Sequence, residues 1–256
     1  MRTRQSGILK KTHGNGNPSM LSFKLTDNSK VRFHKEHRNT FSLAQGLPED
    51  GGTCVNATQA CLKVCYDANL RKLYRKYAEV EDYNTALVLN ASHNQQLEII
   101  KNTVDKWLLN SGGKSPYFRI HTGGEFFDES YTRAWKKVIR KHPSVNFWAY
   151  TRSLFAVPLL CDLKNLTLYL SCDTDNFESV FAVYEKYKDY SNIGIAWMGD
   201  NPPENFPTDR VVLDCPEVTG KTKKIGASGA CSRCRACIDR RLKSGKTRHV
   251  RFPIHR

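Results

Sequence analysis

Tyr117-Phe118-Arg119-Ile120-His121-Thr122-Gly123-Gly124-Glu125 is the stretch on which the fold turns. Its first five residues read as a short strand, and the two glycines as the turn that closes it. Upstream, Leu97, Ile100, Val104, Trp107 and Leu108 recur at helical spacing. Downstream, a helix is expected over Glu129–Lys141, burying Tyr131, Trp135, Val138 and Ile139. A strand at 145–150, an apolar helical turn near 154–160, a strand at 166–170 and a helix over Phe177–Tyr187 follow. Strands at 192–197 and 210–214 close the series, with Asn201-Pro202-Pro203 breaking the chain between them. Adding a first strand near 40–44 makes six, mostly separated by helices. Alternation of this kind predicts an α/β fold with a parallel sheet. Polar residues gather just after the strands, where such sheets place active sites: Thr122–Glu125, Thr151-Arg152-Ser153, Ser171-Cys172-Asp173 and Gly199-Asp200-Asn201. An open doubly wound sheet and a partial barrel share this pattern.

Three regions are expected. Residues 1–38 form a basic lead rich in Gly and Asn, ending in a hairpin with arms at 20–25 and 30–34 around Asp27-Asn28-Ser29. Residues 39–214 form the alternating body. Residues 215–256 form a basic, cysteine-rich, metal-binding extension.

The 256 residues carry 40 Lys and Arg against 25 Asp and Glu, a formal charge of +15. Residues 1–38 account for +7 and residues 219–256 for +11, so the middle is slightly acidic. Two basic ends suit a polyanion, and DNA or RNA is the partner expected through them; the bland reading is a pair of solubilising tails. No run approaches the ~18 apolar residues of a membrane span, and the opening residues lack the apolar core of a secretory signal, so a cytoplasmic protein with no membrane partner is expected.

Nine cysteines, an odd number, argue against a secreted disulfide framework. Seven fall into two groups: Cys54, Cys61 and Cys65, and Cys215, Cys231, Cys234 and Cys237. Closely spaced thiolates in a reducing compartment hold soft metal. Three thiolates on one loop suit a [4Fe-4S] cluster with one iron open to a ligand outside the protein. The alternative is a zinc site completed by His34, His37 or Cys215. The second group supplies four thiolates, enough for zinc or a second [4Fe-4S] cluster. Cys161 and Cys172, in apolar company, read as buried inert thiols.

The three-cysteine loop followed by Phe118–Glu125 resembles the cysteine loop and Gly-Gly-Glu motif of radical S-adenosylmethionine enzymes, over roughly residues 40–215. That resemblance implies a partial (β/α)6 TIM-like barrel, a [4Fe-4S] cluster on Cys54, Cys61 and Cys65, and S-adenosylmethionine on its open iron. It also implies that Gly123, Gly124 and Glu125 face the methionine moiety and that Ser171 and Asp173 lie near the ribose. An electron donor would then be a partner. The cysteine spacing here is x6 then x3, where the family mostly has x3 then x2. A second similarity runs through Thr53-Cys54, Ala60-Cys61, Cys65–Ala68, Phe147–Ser153, Cys215-Pro216 and the terminal cysteines. It is to the phage gene-product-88 family, and implies a viral origin, hence a host cytoplasm, without implying a reaction.

Among single residues, Arg152 is placed to grip a carboxylate or phosphate, or stands as a surface cation. His121 reads as a hydrogen-bonded structural residue, and Tyr66, Leu70, Leu73, Tyr74 and Tyr77 as a core stripe. The expected function is a radical S-adenosylmethionine-like iron–sulfur enzyme acting on nucleic acid. The alternative is a non-enzymatic nucleic-acid-binding protein stapled by zinc or iron–sulfur. A metal-dependent nuclease using Glu125 and Asp128 ranks last.

Overall fold

The computed structural model describes residues 21–33, 37–112, 116–222, 229–238 and 245–253. Six strands form one sheet: β1 (Tyr117–Ile120), β2 (Asn146–Thr151), β3 (Leu166–Cys172), β4 (Ile193–Met198), β5 (Val212–Asp214) and β6 (His249–Phe252). Their order is β1-β2-β3-β4-β6-β5, every pair parallel, with Phe147 opposite Leu166 and Leu168 opposite Ile193. The helices are α1 (Gln59–Lys63), α2 (Tyr66–Leu73), α3 (Arg75–Leu89), α4 (His93–Ser111), α5 (Glu129–Lys141), α6 (Val157–Leu160), α7 (Phe177–Tyr187) and α8 (Ala230–Cys234).

The expected α/β class holds; the sheet is not closed, and no barrel is confirmed. The sheet is open, running from β1 at one edge to β5 at the other. Nor do the cysteine-rich residues after 215 form a separate extension: β6, far along the chain, is inserted between β4 and β5. A four-residue strand has too little apolar periodicity to stand out, and its place is set by two partners that each leave an edge open.

The strand expected near 40–44 is an extended segment with a single bridge, Thr40 to Arg119. It still runs parallel to β1, because the Arg119 N–H donates to Asn39 O (2.9 Å), Thr122 N–H to Phe41 O (3.0 Å) and Leu43 N–H to Gly123 O (3.0 Å). Among the described residues the hairpin is absent. Asn28 makes the turn, accepting from the Lys30 and Val31 N–H groups, but the arms pair elsewhere. Phe23 N–H donates to Thr103 Oγ1 and Lys24 N–H to Asn84 Oδ1.

Helix α5 shows why these elements form where they do. Tyr131, Ala134, Trp135, Val138 and Ile139 share one face and are all buried. Asp128 caps its N-terminus by accepting from Tyr131 N–H at 2.7 Å, which occupies the carboxylate the nuclease reading required. Arg140 and Lys141 in its last turn complement the helix dipole.

Alternate strand residues serve two faces. Phe118, Ile120, Phe147, Ala149, Leu168, Leu170, Ile193 and Ile195 join α4 to α7 in the main core, with Trp107 and Trp135 at its centre. Tyr117, Trp148, Tyr150, Tyr169, Ala196 and Val250 point to the other face, packed by Val31, Phe33, Cys215, Cys231, Cys237 and Ile238. Both faces are covered, as a parallel sheet requires. Among the described residues no helix is long and apolar enough to cross a membrane.

Candidate metal centre

The first cysteine group sits on a loop laid over the carboxyl ends of β1, β2 and β3. A 3-10 turn at Pro48–Asp50 starts the loop, and Gly52 lets it fold on itself: a Cβ there would lie 2.1 Å from Gly46 O. Thr53 N–H and hydroxyl both donate to Ala44 O, and Cys54 N–H to Gly46 O. Thr58 caps α1 by accepting from Cys61 N–H, which places Cys61 inside that helix. Cys65 is the N-cap residue of α2.

The loop is tied directly to the ends of β1 and β3, and through Asp173 to the end of β2. From β1, Glu125 N–H donates to Thr53 Oγ1 at 3.1 Å. From β3, Asp173 Oδ2 accepts from the Thr58 hydroxyl at 2.6 Å, and Asp175 accepts from Ala60 N–H at 2.9 Å. From β2, Arg152 forms a buried ion pair with Asp173 at 2.8 Å. The strand ends are themselves joined by the Glu125 carboxylate, which accepts from Arg152 N–H (2.6 Å), the Thr151 hydroxyl (2.7 Å) and Phe126 N–H (2.9 Å). Burial still lifts the Glu125 carboxyl to about 7 against these donors.

The two glycines allow a close approach by the chain itself. A Cβ on Gly123 would lie 2.2 Å from Asp67 Oδ2. Gly124, at φ +78°, would meet Leu43 Cβ at 2.6 Å and Thr53 Oγ1 at 2.7 Å. The Gly-Gly step is therefore where strand β1 and the cysteine loop press together. Ser171, half-buried on β3, faces the same side of the sheet as Tyr169, and its carbonyl accepts from Asn176.

Cys54, Cys61 and Cys65 lie within electrostatic reach of one another. Burial, then the Glu125 carboxylate, push the Cys54 thiol up to about 12, with Cys61 and Cys65 adding to the shift. Burial likewise raises Cys65, with Asp67 and Cys61 contributing. A bound cation reverses such shifts, because thiols ligate as thiolates.

The second group lies on the sheet's other face. Cys215 follows β5, its N–H donating to Arg251 O on β6 at 2.8 Å. Cys231 and Cys234 lie on α8, anchored where Cys231 N–H donates to Lys30 O; a Cβ on Gly229 would come within 2.3 Å of that oxygen. Arg235, at φ +55°, turns the chain so that Cys237 returns to the sheet. Burial pushes Cys231 to about 11 and Cys237 to about 12, and each of Cys215, Cys231 and Cys237 also feels the charge of Cys234. Beside Cys215 and Cys237 stands Tyr169, fully buried, its hydroxyl turned to the Cys237 thiol. A hydroxyl at that place suits a metal-bound thiolate that accepts its proton. Among the described residues, however, no three Cys, His, Asp or Glu side chains converge on one point closely enough to hold a single ion. The donor chemistry of both groups fits soft metal, and the spacing is that of thiols near one another but not drawn together.

Other expectations resolve simply. His121 is buried at φ +56°, hydrogen-bonded to the Tyr131 hydroxyl at 2.9 Å, and burial holds its pKa down to about 3, so it is a neutral structural residue. Cys161 and Cys172 are buried. His34 and most of the basic ends lie outside the described residues. The expected core stripe along α2 is overturned: Leu73 is 72% exposed, Tyr74 59% and Tyr66 49%.

Sequence reading missed Arg119. It stands on β1 beside the Tyr150 ring at 5.1 Å, within electrostatic reach of Tyr66, Cys231 and Cys237. Arg119 thus lies beside the second thiol group and within reach of Tyr66, the neighbour of Cys65. Its signal was a lone cation in an otherwise apolar strand. Thr58, which fastens the loop to Asp173, carried no signal at all.

Residues 9–240 match the family model described as Gene product 88. The Gene 88 protein of Mycobacterium phage L5 is 35% identical over 205 residues, covering 77% of this chain and 82% of that protein. The Gene 88 protein of Mycobacterium phage D29 is 33% identical over 238 residues, covering 87% and 96% respectively. No solved structure matches. The matched span takes in both thiol groups and β1 through β5, and on this similarity the chain belongs to the gene product 88 family.

Proposed function

We propose that the chain is an iron–sulfur protein with radical S-adenosylmethionine-type activity, working in the cytoplasm of a phage-infected host. The observation that carries the reading is the three-thiol loop fastened over the carboxyl ends of three parallel strands, through Thr53, Thr58, Glu125 and Asp173. Cys54, Cys61 and Cys65 would hold a [4Fe-4S] cluster, whose open iron supplies reductive cleavage of S-adenosylmethionine when an electron donor is present. Glu125 fixes the β1 and β2 loops beneath it, and the Arg152–Asp173 pair holds the β3 loop against α1. Cys215, Cys231, Cys234 and Cys237 would hold a second cluster or zinc that fastens residues 215–238 to the sheet.

A second reading has its own support. Gly123 and Gly124 are pressed against Asp67, Leu43 and Thr53, and the Glu125 carboxylate is fully engaged by backbone and Thr151 donors. Those contacts suit a metal-stapled nucleic-acid-binding protein without catalysis.

Anaerobic purification with iron, sulfide and zinc analysis tests the metal. Paramagnetic resonance of the reduced protein with and without S-adenosylmethionine, beside an assay for 5′-deoxyadenosine, tests the chemistry. The enzyme reading expects a spectrum perturbed by S-adenosylmethionine and nucleoside formed, both lost in Cys61→Ala and kept in Cys172→Ala. Iron without perturbation or nucleoside would leave the staple reading; neither iron nor zinc would overturn both.

A further inference from the structure

We propose that the corner between α2 and α3 is a docking surface for single-stranded nucleic acid, leading the strand toward the cysteine loop. The inference rests on the nucleic-acid part of the reading above and is independent of the metal. Residues 63–76 expose Lys63, Val64, Tyr66, Lys72, Leu73, Tyr74, Arg75 and Lys76 in one short stretch. Leu73, at 72% exposure, and Tyr74, at 59%, are large apolar side chains in water beside lysines, an arrangement that solvation alone does not reward.

The corner has a built shape. Helix α2 ends at Leu73, Tyr74 takes an extended conformation (φ −128°, ψ 93°), and α3 begins at Arg75. Tyr74 N–H closes α2 on Leu70 O, and Tyr77 and Ala78 N–H groups start α3 on Tyr74 O, so the backbone is held while the ring points outward. Arg71 braces the junction from inside, bonded to Glu81 and Asp82 on α3. Arg75 is paired with Glu79. No ion pair among the described residues uses Lys63, Lys72 or Lys76, which leaves three ammonium groups on the same stretch as the exposed side chains. At the other end of α2, about 12 Å away by helix rise, stands Cys65, with the half-exposed Tyr66 next to it.

Charge and ring together select the occupant. Lysines neutralise phosphates, while exposed rings stack on bases, which only an unpaired strand presents. A membrane surface needs a continuous apolar face, and here the apolar residues number few and the helix breaks at Tyr74.

The test is fluorescence anisotropy with a labelled 15-residue oligouridylate and the matching oligothymidylate, a duplex of the same length, and vesicles containing anionic lipid, on the full chain across a salt series. Parent protein should bind a single strand more tightly than the duplex. Tyr74→Ala should weaken it about tenfold. Lys72→Ala with Lys76→Ala should flatten the dependence of log affinity on log salt by about 0.7 per lysine. Leu109→Ala, at an exposed site on α4, should change nothing. Unchanged thermal midpoints and metal content in each variant separate a lost surface from a lost fold or a lost centre, and the result stands whether or not iron is present. Variants that bind like the parent, equal affinity for duplex, binding of vesicles alone, or no strand binding at low salt would each overturn the proposal.

Discussion

Gly123→Ala should destabilise the fold by packing alone. The new methyl carbon would sit 2.2 Å from Asp67 Oδ2, 2.4 Å from its Cγ and 2.6 Å from Oδ1, so the whole carboxylate must move. It has nowhere to go. Asp67 is 1% exposed and accepts from the Tyr77 hydroxyl at 2.6 Å. Its other oxygen faces the Glu81 carboxyl, and burial raises both acids. Overpacking a site of this kind costs about 1–3 kcal/mol, and losing a hydrogen bond to a carboxylate about 1.5–3 kcal/mol. Partial relaxation leaves a sum of about 2–4 kcal/mol, or roughly 4–16 °C in the thermal midpoint for a chain of this size. Urea melts of Gly123→Ala, Asp67→Ala and the double variant check the cause. Removing the carboxylate removes the wall, so the double variant should lose clearly less than the sum of the single losses. A Gly123→Ala midpoint equal to the parent's, or strictly additive losses, would refute the argument that this glycine exists for the packing of the cysteine loop.

Acid should destabilise the protein through its buried histidines. Burial holds His249 down to about 4 and His121 to about 3, and His249 Nδ1 accepts from Ile195 N–H, a bond that protonation breaks. Because their folded values lie below the unfolded one, the unfolded chain binds more protons, and stability falls as pH drops from about 6.5 toward 4. His249 alone contributes up to about 3 kcal/mol of that fall; because the buried Glu125 and Glu81 carboxyls, raised to about 7 and about 8, shift stability the other way over the same range, it is read as the difference between the urea midpoints of the parent and of His249→Asn from pH 7 to 4.5. Arg210→Met should cost about 3–5 kcal/mol, since the buried guanidinium donates to the carbonyls of Ile193, Lys188, Tyr190 and Thr247; a midpoint within 1 °C of the parent would exclude that role. Cys234→Ser should lower metal content and open residues 215–238 to limited proteolysis while leaving the helical face protected, whereas an unchanged cleavage pattern would show that the thiols staple nothing.

Much of the helical side of the fold is legible in the sequence. Helices α5 and α7 run over the expected residues because their apolar side chains repeat at helical spacing and are bounded by caps or breaks. The strands β2, β3 and β4 fall within two residues of expectation, being continuous apolar runs of a doubly covered sheet. The hairpin failed for a physical reason. Asp27-Asn28-Ser29 supplies turn chemistry, but a turn does not dictate what its arms pair with, and Thr103 and Asn84 offered buried acceptors to the first arm. Likewise, helical spacing marked Leu73 and Tyr74 as core, and spacing says which side chains share a face without saying that anything covers it.

The second face of the sheet is where local reading stops, for a reason built into parallel topology. Each of its residues is contributed by a strand whose neighbours in space lie tens of residues away, so Arg119, Tyr150, Tyr169 and Cys237 have no pattern in common along the chain. Thiol spacing revealed two groups because each is nearly contiguous. It could not reveal that β6, by pairing with β4 and β5, carries the chain after Cys237 back into the sheet, nor that Cys215 is anchored on that same strand through Arg251 O. The consequence is functional. With Arg119 within reach of Cys231 and Cys237 as well as of Tyr66, a charge placed at the second thiol group is felt by a guanidinium on β1. Residues of β1 and of the chain after 230, far apart in the sequence, are thereby neighbours on one face of the sheet, and a substitution at Arg119 should disturb Cys231 and Cys237.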